Sequence, residues 1–216
     1  MQLAIVPVTA FVENVYILAD EESKEAIVID PGGEAEKLLD AVRQMGITVK
    51  HILCTHGHMD HVGAVLPLRE ATGARYAIHE NDAAMARRDP PSYLNRLIPD
   101  FVQPPEPDAL LRDGDVLTVG GVSLRVIETP GHTMGSLCLL GNGALFAGDT
   151  LFQGSVGRTD FPGSSPEALV ESIRGRLFLL DAETVVFPGH GGQTTIGQEK
   201  VFNPFVGEGS RLGRGG

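Results

Sequence analysis

The chain has 216 residues, enough for one large domain and few for two, and 42% of them are hydrophobic, an ordinary share for a globular protein. Its formal net charge of −11, from 17 basic and 28 acidic residues, disfavours nucleic acid or an anionic membrane surface as a partner, because phosphate groups are bound by clustered Lys and Arg. No apolar run reaches the roughly 18 residues that a transmembrane helix needs.

The first half of the chain is predicted to alternate strands and helices. Its N-terminal apolar run has no basic segment before it, which argues against a secretory signal and favours a cytoplasmic location. Apolar runs bounded by turn residues predict strands at residues 3–8, 14–19, 26–29, 51–54 and 75–78. Apolar residues at helical spacing predict helices at residues 34–45, 62–71 and 80–88.

Residues 89–108 interrupt this alternation. Six of the 14 prolines fall there, and proline at that density prevents both helical and sheet hydrogen bonding. A loop of this length inside a compact domain is often a functional lid, although a passive surface loop fits the sequence equally well. Tyr93, Leu97 and Phe101 give the segment apolar surface, and we predict that it borders the candidate site described below.

The second half repeats the pattern. Strands are predicted at residues 116–119, 122–128, 136–140, 144–147 and 184–187. Helices are predicted from a capping box at Ser164 and Glu167 to about residue 179, and at residues 195–201. Two sets of strands, each followed by helices, predict two sheets packed face to face with helices outside. We therefore predict a single domain over residues 1–206 and a mobile glycine-rich tail over residues 207–216.

Four good metal ligands lie within six residues directly after the predicted strand 51–54. They are His56, His58, Asp60 and His61. His56 and His58 are two residues apart and can point the same way while the chain is extended, whereas Asp60 and His61 turn to another side as a helix begins. One ion cannot comfortably bind all four, so the spacing predicts two neighbouring ions. The alternative is a polar turn that happens to be rich in histidine.

Three later residues share a feature with this motif, because each follows an apolar strand directly. They are His132, Asp149 and His190. If these strands deliver their ends to one edge, five histidines and two aspartates converge, and the glycines beside them let the backbone approach closely. His51 and His79 remain outside this set and are interpreted as structural residues.

The motif from Thr55 to His61, followed in order by His132, Asp149 and His190, resembles the metallo-β-lactamase superfamily of hydrolases. The resemblance implies an α+β fold, an αββα sandwich of two mixed sheets with helices on the outer faces and a two-metal site at one edge. It also implies the ligand sets. One ion would be bound by His56, His58 and His132, the second by Asp60, His61 and His190, and Asp149 would bridge them.

Four shorter segments resemble the single-domain branch of glyoxalase II-like proteins, namely residues 7–11, 30–33, 157–162 and 203–205. This resemblance implies hydrolysis of a small-molecule thioester such as a hydroxyacyl-glutathione. A hydroxide shared by two divalent ions would be the nucleophile, Asp60 would also orient it, and zinc is favoured over iron or manganese. Two-domain glyoxalase II enzymes bind glutathione through a helical C-terminal domain, whereas only 26 residues follow His190 here.

The sequence leaves two interpretations open for each of two further candidate residues. Arg158 either binds a substrate carboxylate or forms a structural pair with an acid such as Asp160. Asp30 either accepts a hydrogen bond from a ligand imidazole or simply begins an Asp-Pro-Gly turn.

One competing function belongs to another reaction class. Residues 157–161 also resemble persulfide dioxygenases, in which a single iron would be held here by His56, His132 and Asp149. Those enzymes usually have a cysteine before the Gly-Arg pair, where this chain has Val156.

Overall fold

The computed structural model describes residues 1–89, 91–94 and 96–210, without the side chain of Tyr93. Its first sheet contains the first six strands in chain order. They are β1 (Gln2–Val8), β2 (Glu13–Ala19), β3 (Glu25–Ile29), β4 (Thr48–Leu53), β5 (Arg75–His79) and β6 (Ala109–Leu111). The first three strands pair antiparallel and the last three join in parallel, so the sheet is mixed.

The second sheet is also mixed and has six strands. In spatial order they are β14 (Thr194–Thr195), β13 (Val185–Pro188), β10 (Ala144–Gly148), β9 (Leu137–Gly141), β8 (Val122–Glu128) and β7 (Val116–Val119). A separate hairpin joins β11 (Leu151–Phe152) to β12 (Ser155–Val156). β10 runs parallel to β13, and β8 runs in the same direction because both β8 and β10 pair antiparallel to β9. The carboxyl ends of β8, β10 and β13 therefore lie at one edge.

Within the described residues, six α-helices accompany the sheets. They are α1 (Ala35–Met45), α2 (Met59–Val62), α3 (Val65–Thr72), α4 (Glu80–Ala86), α5 (Pro166–Gly175) and α6 (Ile196–Phe202). Short 3₁₀ turns cover Ser92–Leu94 and Leu177–Leu179. None of the helices in the described part of the chain is long and apolar enough to cross a membrane.

Three apolar clusters separate the layers and confirm the predicted αββα sandwich. Tyr16, Leu53 and Phe146 belong to the cluster between the two sheets. The outer face of the first sheet packs against α1 and α3, and the outer face of the second packs against α5 and α6. The period of two is visible in β3, where Ile27 faces the other sheet and Val28 faces the helices.

Two helix boundaries differ from the prediction. The helix predicted at residues 62–71 begins only at Val65, as α3, after the separate short helix α2, and between the two helices the Ala64 amide donates to Pro31 O at 2.9 Å. The Ser164–Glu167 capping box is wrong: the Ser165 hydroxyl caps α5 by accepting from Ala168 N at 3.2 Å. Ser164 instead donates to His132 O at 2.7 Å, beside a candidate ligand.

Three short strands were not predicted from the sequence. The strands β6, β11 and β12 contain two or three residues each, too few to produce a periodic signal in the sequence.

Near the C-terminus, Ser210 is buried and its hydroxyl accepts from Arg174 Nη2 at 2.7 Å, so the predicted mobile tail begins with residues that pack on the domain. Residues 211–216 lie outside the described residues.

Phe146 gives a direct test of the core between the sheets. It is fully buried, stacks on Phe187 at 5.3 Å between ring centroids and meets Tyr16 edge-on at 5.1 Å. We expect Phe146→Ala to lower the free energy of unfolding by about 3–5 kcal/mol, because it leaves a cavity in a packed interior. Urea unfolding of the metal-free protein measures this. Val116→Ala, at a 60% exposed position, is the control and should change stability by less than about 0.5 kcal/mol.

Candidate metal centre

The histidine-rich motif occupies the turn from β4 into α2. His56 is buried just after the strand, and His58 is still extended, with φ −71° and ψ 149°, where α2 begins. Asp60 and His61 lie within α2 itself. The two pairs of ligands therefore leave the loop in different directions, as the spacing predicts.

The structure brings all seven predicted ligands together at one edge of the sandwich. His132, Asp149 and His190 follow β8, β10 and β13, whose ends meet there. Among the described residues, candidate ligand atoms lie within 4.8 Å of one another in three groups, of which two match the predicted ligand sets and the third combines Asp30 with His56 and His61. The first group consists of His56, His58 and His132, and the second of Asp60, His61 and His190.

Asp149 lies between the two groups. Its Oδ1 is 3.5 Å from His61 Nε2 and 3.8 Å from His190 Nε2, whereas its Oδ2 is 3.6 Å from His132 Nε2. One carboxylate thus presents one oxygen to each group.

Three buried atoms at this point have no hydrogen-bond partner among the described residues: His56 Nε2, His61 Nε2 and Asp149 Oδ1. Leaving such atoms unpaired costs free energy, so their arrangement around a common centre fits bound cations. The ligand atoms are imidazole nitrogens and carboxylate oxygens without a thiolate, a set that suits zinc, iron and manganese.

The electrostatics of the first group favour ligand binding. Burial and four neighbouring imidazoles hold the pKa of His56 well below its usual range, and burial lowers the pKa of His58 to about 3. Neutral imidazole is the form that binds a metal, so no proton has to be removed from these two side chains at neutral pH.

The second group favours positive charge. Burial lowers the pKa of His61, but Asp149 and Asp30 outweigh it and raise that pKa well above its ordinary value. Burial raises the pKa of Asp60, but the hydrogen bond with His190 and the imidazoles outweigh it, so this carboxylate is ionised. A cation at this group would occupy a position where the surrounding carboxylates already stabilise positive charge.

Acceptors behind the ligands hold the rings in place. Asp30 Oδ2 lies 3.0 Å from His61 Nδ1, and the same side chain accepts from Thr55 N and Thr55 Oγ1, both at 2.6 Å. His132 Nδ1 donates to Arg158 O at 2.8 Å, and His190 Nδ1 donates to Phe11 O at 3.1 Å. These bonds occupy Nδ1 and leave Nε2 directed at the centre. Asp30 therefore contacts the ligand shell rather than merely beginning a turn.

Sequence reasoning missed Asp82. This residue of α4 is 1% exposed, and its Oδ2 accepts from Gly57 N at 2.8 Å and from Thr133 Oγ1 at 2.6 Å. Its Oδ1 accepts from Gly135 N at 2.9 Å. One carboxylate thus joins the backbone between His56 and His58 to the loop that carries His132. A buried aspartate on an otherwise ordinary amphipathic helix gives no sequence signal of this role.

Sequence reasoning also missed Glu13, at the start of β2. The side chain is fully buried, its Oε1 lies 3.8 Å from His61 Nδ1, and neither oxygen has a hydrogen-bond partner among the described residues. Burial raises the pKa of this carboxyl well above its usual range. Glu13 and Asp30 together place two carboxyl groups behind one candidate ligand. Nothing in the sequence distinguishes Glu13 from acids in exposed turns.

The remaining predicted residues have clear positions. His79 Nε2 lies 3.0 Å from Glu128 Oε1 and its Nδ1 accepts from Asn81 N, so it has the predicted structural role. Arg158 is exposed and forms a two-pronged ion pair with Asp160, at 3.0 and 2.8 Å, with its guanidinium 4.6 Å from the centre of the Phe161 ring.

A cleft of about 870 Å³ opens over the two ligand groups. Its floor includes His58, Asp60, His132, Asp149 and His190. Asp89, Pro91 and Leu94 line one wall, so the proline-rich segment borders the site as predicted. Phe101, offered as part of that apolar surface, packs instead against the core beneath α1 and α3.

Comparisons with known proteins agree with this geometry. The sequence model of the metallo-beta-lactamase superfamily matches residues 8–190. The hydroxyacylglutathione hydrolase GloC of Haemophilus influenzae is 39% identical over 95% of this chain and 98% of its own length. Among solved structures, TTHA1623 in a di-iron-bound form has a TM-score of 0.82 at 38% identity, covering 94% of this chain and 100% of that one. ETHE1 from Myxococcus xanthus has a TM-score of 0.81 at 32% identity, covering 95% and 84%.

Asp82 can be tested separately from the ligands. We expect Asp82→Asn to weaken zinc binding by about 10-fold or more, because an amide cannot accept all three hydrogen bonds and the two ligand loops lose their common anchor. Competition with a chromophoric chelator measures the affinity. Asp40→Asn, on the exposed face of α1, is the matched control. Equal zinc affinity in the two variants would show that Asp82 does not position the loops.

Proposed function

Since the chain belongs to the metallo-β-lactamase superfamily, we propose that it is a binuclear metal-dependent hydrolase of thioesters such as hydroxyacyl-glutathione. One observation carries the binuclear part of the proposal: Asp149 presents one carboxylate oxygen to each of two complete ligand groups. The thioester part is supported by the 39% identity to GloC.

In this proposal His56, His58 and His132 would hold one divalent ion, Asp60, His61 and His190 would hold the second, and Asp149 would contribute to both. Zinc is the favoured metal, and iron or manganese would also suit these ligands. The bound ions would polarise the thioester carbonyl and lower the pKa of water, supplying a hydroxide at neutral pH.

The residues around the centre would orient the reactants. Asp60 lines the cleft as well as its ligand group, so its carboxylate can accept a hydrogen bond from the attacking water and hold its direction. Asp30 keeps the His61 ring fixed through its 3.0 Å contact. The departing thiol has a pKa of about 8.5, so the thiolate leaves without a strong acid from the protein.

The extent of the match to GloC bears on glutathione recognition. GloC aligns with this chain over 98% of its own length, so this chain matches nearly all of a protein named as a hydroxyacylglutathione hydrolase. Arg158 lines the cleft, and its Nε and Nη2 are paired with Asp160.

The second candidate function is persulfide oxidation at a single iron, and the similarity to ETHE1 favours it. His132 Nε2 and Asp149 Oδ2 lie 3.6 Å apart, and the His56 and His132 ring centroids lie 4.8 Å apart, so these three residues are neighbours, but they are not among the groups whose ligand atoms all lie within 4.8 Å. The second ligand group also has three candidate ligands, however, and a one-iron site would leave Asp60, His61 and His190 without a metal to bind. We therefore favour the hydrolase.

Metal content separates these two functions. We expect protein grown with both zinc and iron to bind two ions per chain, and His190→Ala to lose about one equivalent together with most thioester hydrolysis. Elemental analysis measures the stoichiometry, and His51→Ala, at a histidine outside both ligand groups, is the control. A single iron that survives His190→Ala, together with oxygen consumption on glutathione persulfide, would instead establish the dioxygenase.

Substrate affinity gives a second test. We expect a KM for lactoylglutathione in the hundreds of micromolar with an ordinary kcat, near the upper end of the usual range of about 1 µM to 1 mM. The reason is that binding energy remote from the thioester requires dedicated contacts. Steady-state kinetics on the fully metal-loaded protein measure this. A low-micromolar KM that rises in Arg88→Ala would show that the cleft rim supplies such contacts.

A further inference from the structure

The cleft over the ligand groups has walls of a different character from its floor. The floor consists of the imidazoles and carboxylates described above, whereas the walls carry mostly apolar side chains. The largest of these are Phe11, Met59, Met85, Leu94, Phe152 and Phe161. Five of the six are methionines or phenylalanines, the kind of surface that binds an apolar group.

The apolar surface comes from two separate parts of the fold. Met85 lies on α4 and Leu94 in the following 3₁₀ turn, so they form one wall. Phe152 lies in the β11–β12 hairpin and Phe161 follows it, so they form the other. A substrate above the ligand groups would therefore lie between two apolar walls.

The aromatic wall residues are fixed beside both ligand groups. The Phe161 ring meets His58 edge-on at 5.3 Å and is covered on one side by Arg158. The Phe152 ring lies 6.4 Å from His190. Whichever way a thioester is oriented across the centre, an apolar ring adjoins its acyl group.

Charged groups in the walls are few and lie at the rim. Arg158 is paired with Asp160, and Arg88 and Asp89 are both exposed. A small hydroxyacyl group would leave most of the apolar wall uncovered.

We propose that this cleft selects thioesters by an apolar acyl group, and that the preferred substrates carry alkyl or aromatic acyl groups rather than lactoyl. This inference rests on the proposed thioesterase function and names its substrate class. Each buried methylene is expected to improve binding about two- to fourfold until the wall is covered.

The first experiment compares acetyl-, butyryl-, hexanoyl- and lactoyl-glutathione on the fully metal-loaded protein. We expect kcat/KM to rise about two- to fourfold per methylene along the alkyl series, and hexanoyl to exceed lactoyl by at least about 10-fold. A flat series, or lactoyl as the best substrate, would overturn the inference while leaving the thioesterase itself in place.

A binding measurement keeps the inference testable if no thioester is hydrolysed. S-Methyl-, S-butyl- and S-hexyl-glutathione are thioethers that present the same chains without a scissile bond. We expect calorimetric Kd values to fall about two- to fourfold per methylene. Tighter binding of longer chains without hydrolysis of any thioester would overturn the proposed function but support the apolar cleft. No dependence on chain length in either experiment would overturn the inference itself.

A pair of variants tests whether the dependence on acyl chain length arises at the wall of the cleft. Leu94→Gln makes one wall polar, and Leu179→Gln makes the same change at a 77% exposed position outside the cleft. We expect Leu94→Gln to flatten the chain-length dependence with the metal content unchanged, and Leu179→Gln to leave it intact. If Leu94→Gln is poorly folded, Met85→Gln on α4 tests the same wall. Equal dependence in all folded variants would show that the chain binds elsewhere.

Discussion

The position of the Asp149 carboxylate is the constraint on which the candidate centre depends. Its two oxygens face two different ligand groups, and this is possible only because the backbone on either side is packed very closely. Gly148 has φ +46°, and a Cβ there would lie 2.2 Å from Thr55 Oγ1. A Cβ on Gly189 would lie 2.4 Å from Asp149 Oδ1. Larger residues at either position would push the two ligand groups apart.

This centre is coupled to the folding of the whole sandwich. His56 and His61 follow a strand of the first sheet, whereas Asp149 and His190 follow strands of the second, so the groups form only when the sheets pack together. Packing of the core between the sheets therefore offsets the free-energy cost of keeping buried polar atoms at this edge without hydrogen-bond partners among the described residues. Bound cations would compensate those groups, which links metal affinity to the stability of the fold.

The floor of the cleft bears on the type of reaction, whereas its walls bear on the substrate. The ligand groups at the floor define a class of chemistry that the superfamily shares. Apart from Phe11 and Met59, the walls come mostly from α4, the proline-rich segment and the β11–β12 hairpin with the residues after it, which lie outside the ligand motif. Fold and candidate ligands therefore indicate a reaction type, whereas most of the side chains that would contact a substrate lie outside the motif.

Apolar periodicity and the order of candidate ligands after strand ends are local signals, so the sandwich and the converging residues could be predicted from the sequence. The residues that support the candidate ligands became apparent only in the folded chain. Asp82 and Glu13 contact residues that are distant in the sequence, so no local pattern predicts these contacts. Ser164, which was predicted to cap a helix, instead donates a hydrogen bond to His132 O. Arg158 likewise pairs with Asp160 while it lines the cleft, a combination that the sequence does not predict. Hydrogen bonds between distant segments depend on packing, and packing is fixed only when the whole chain is folded.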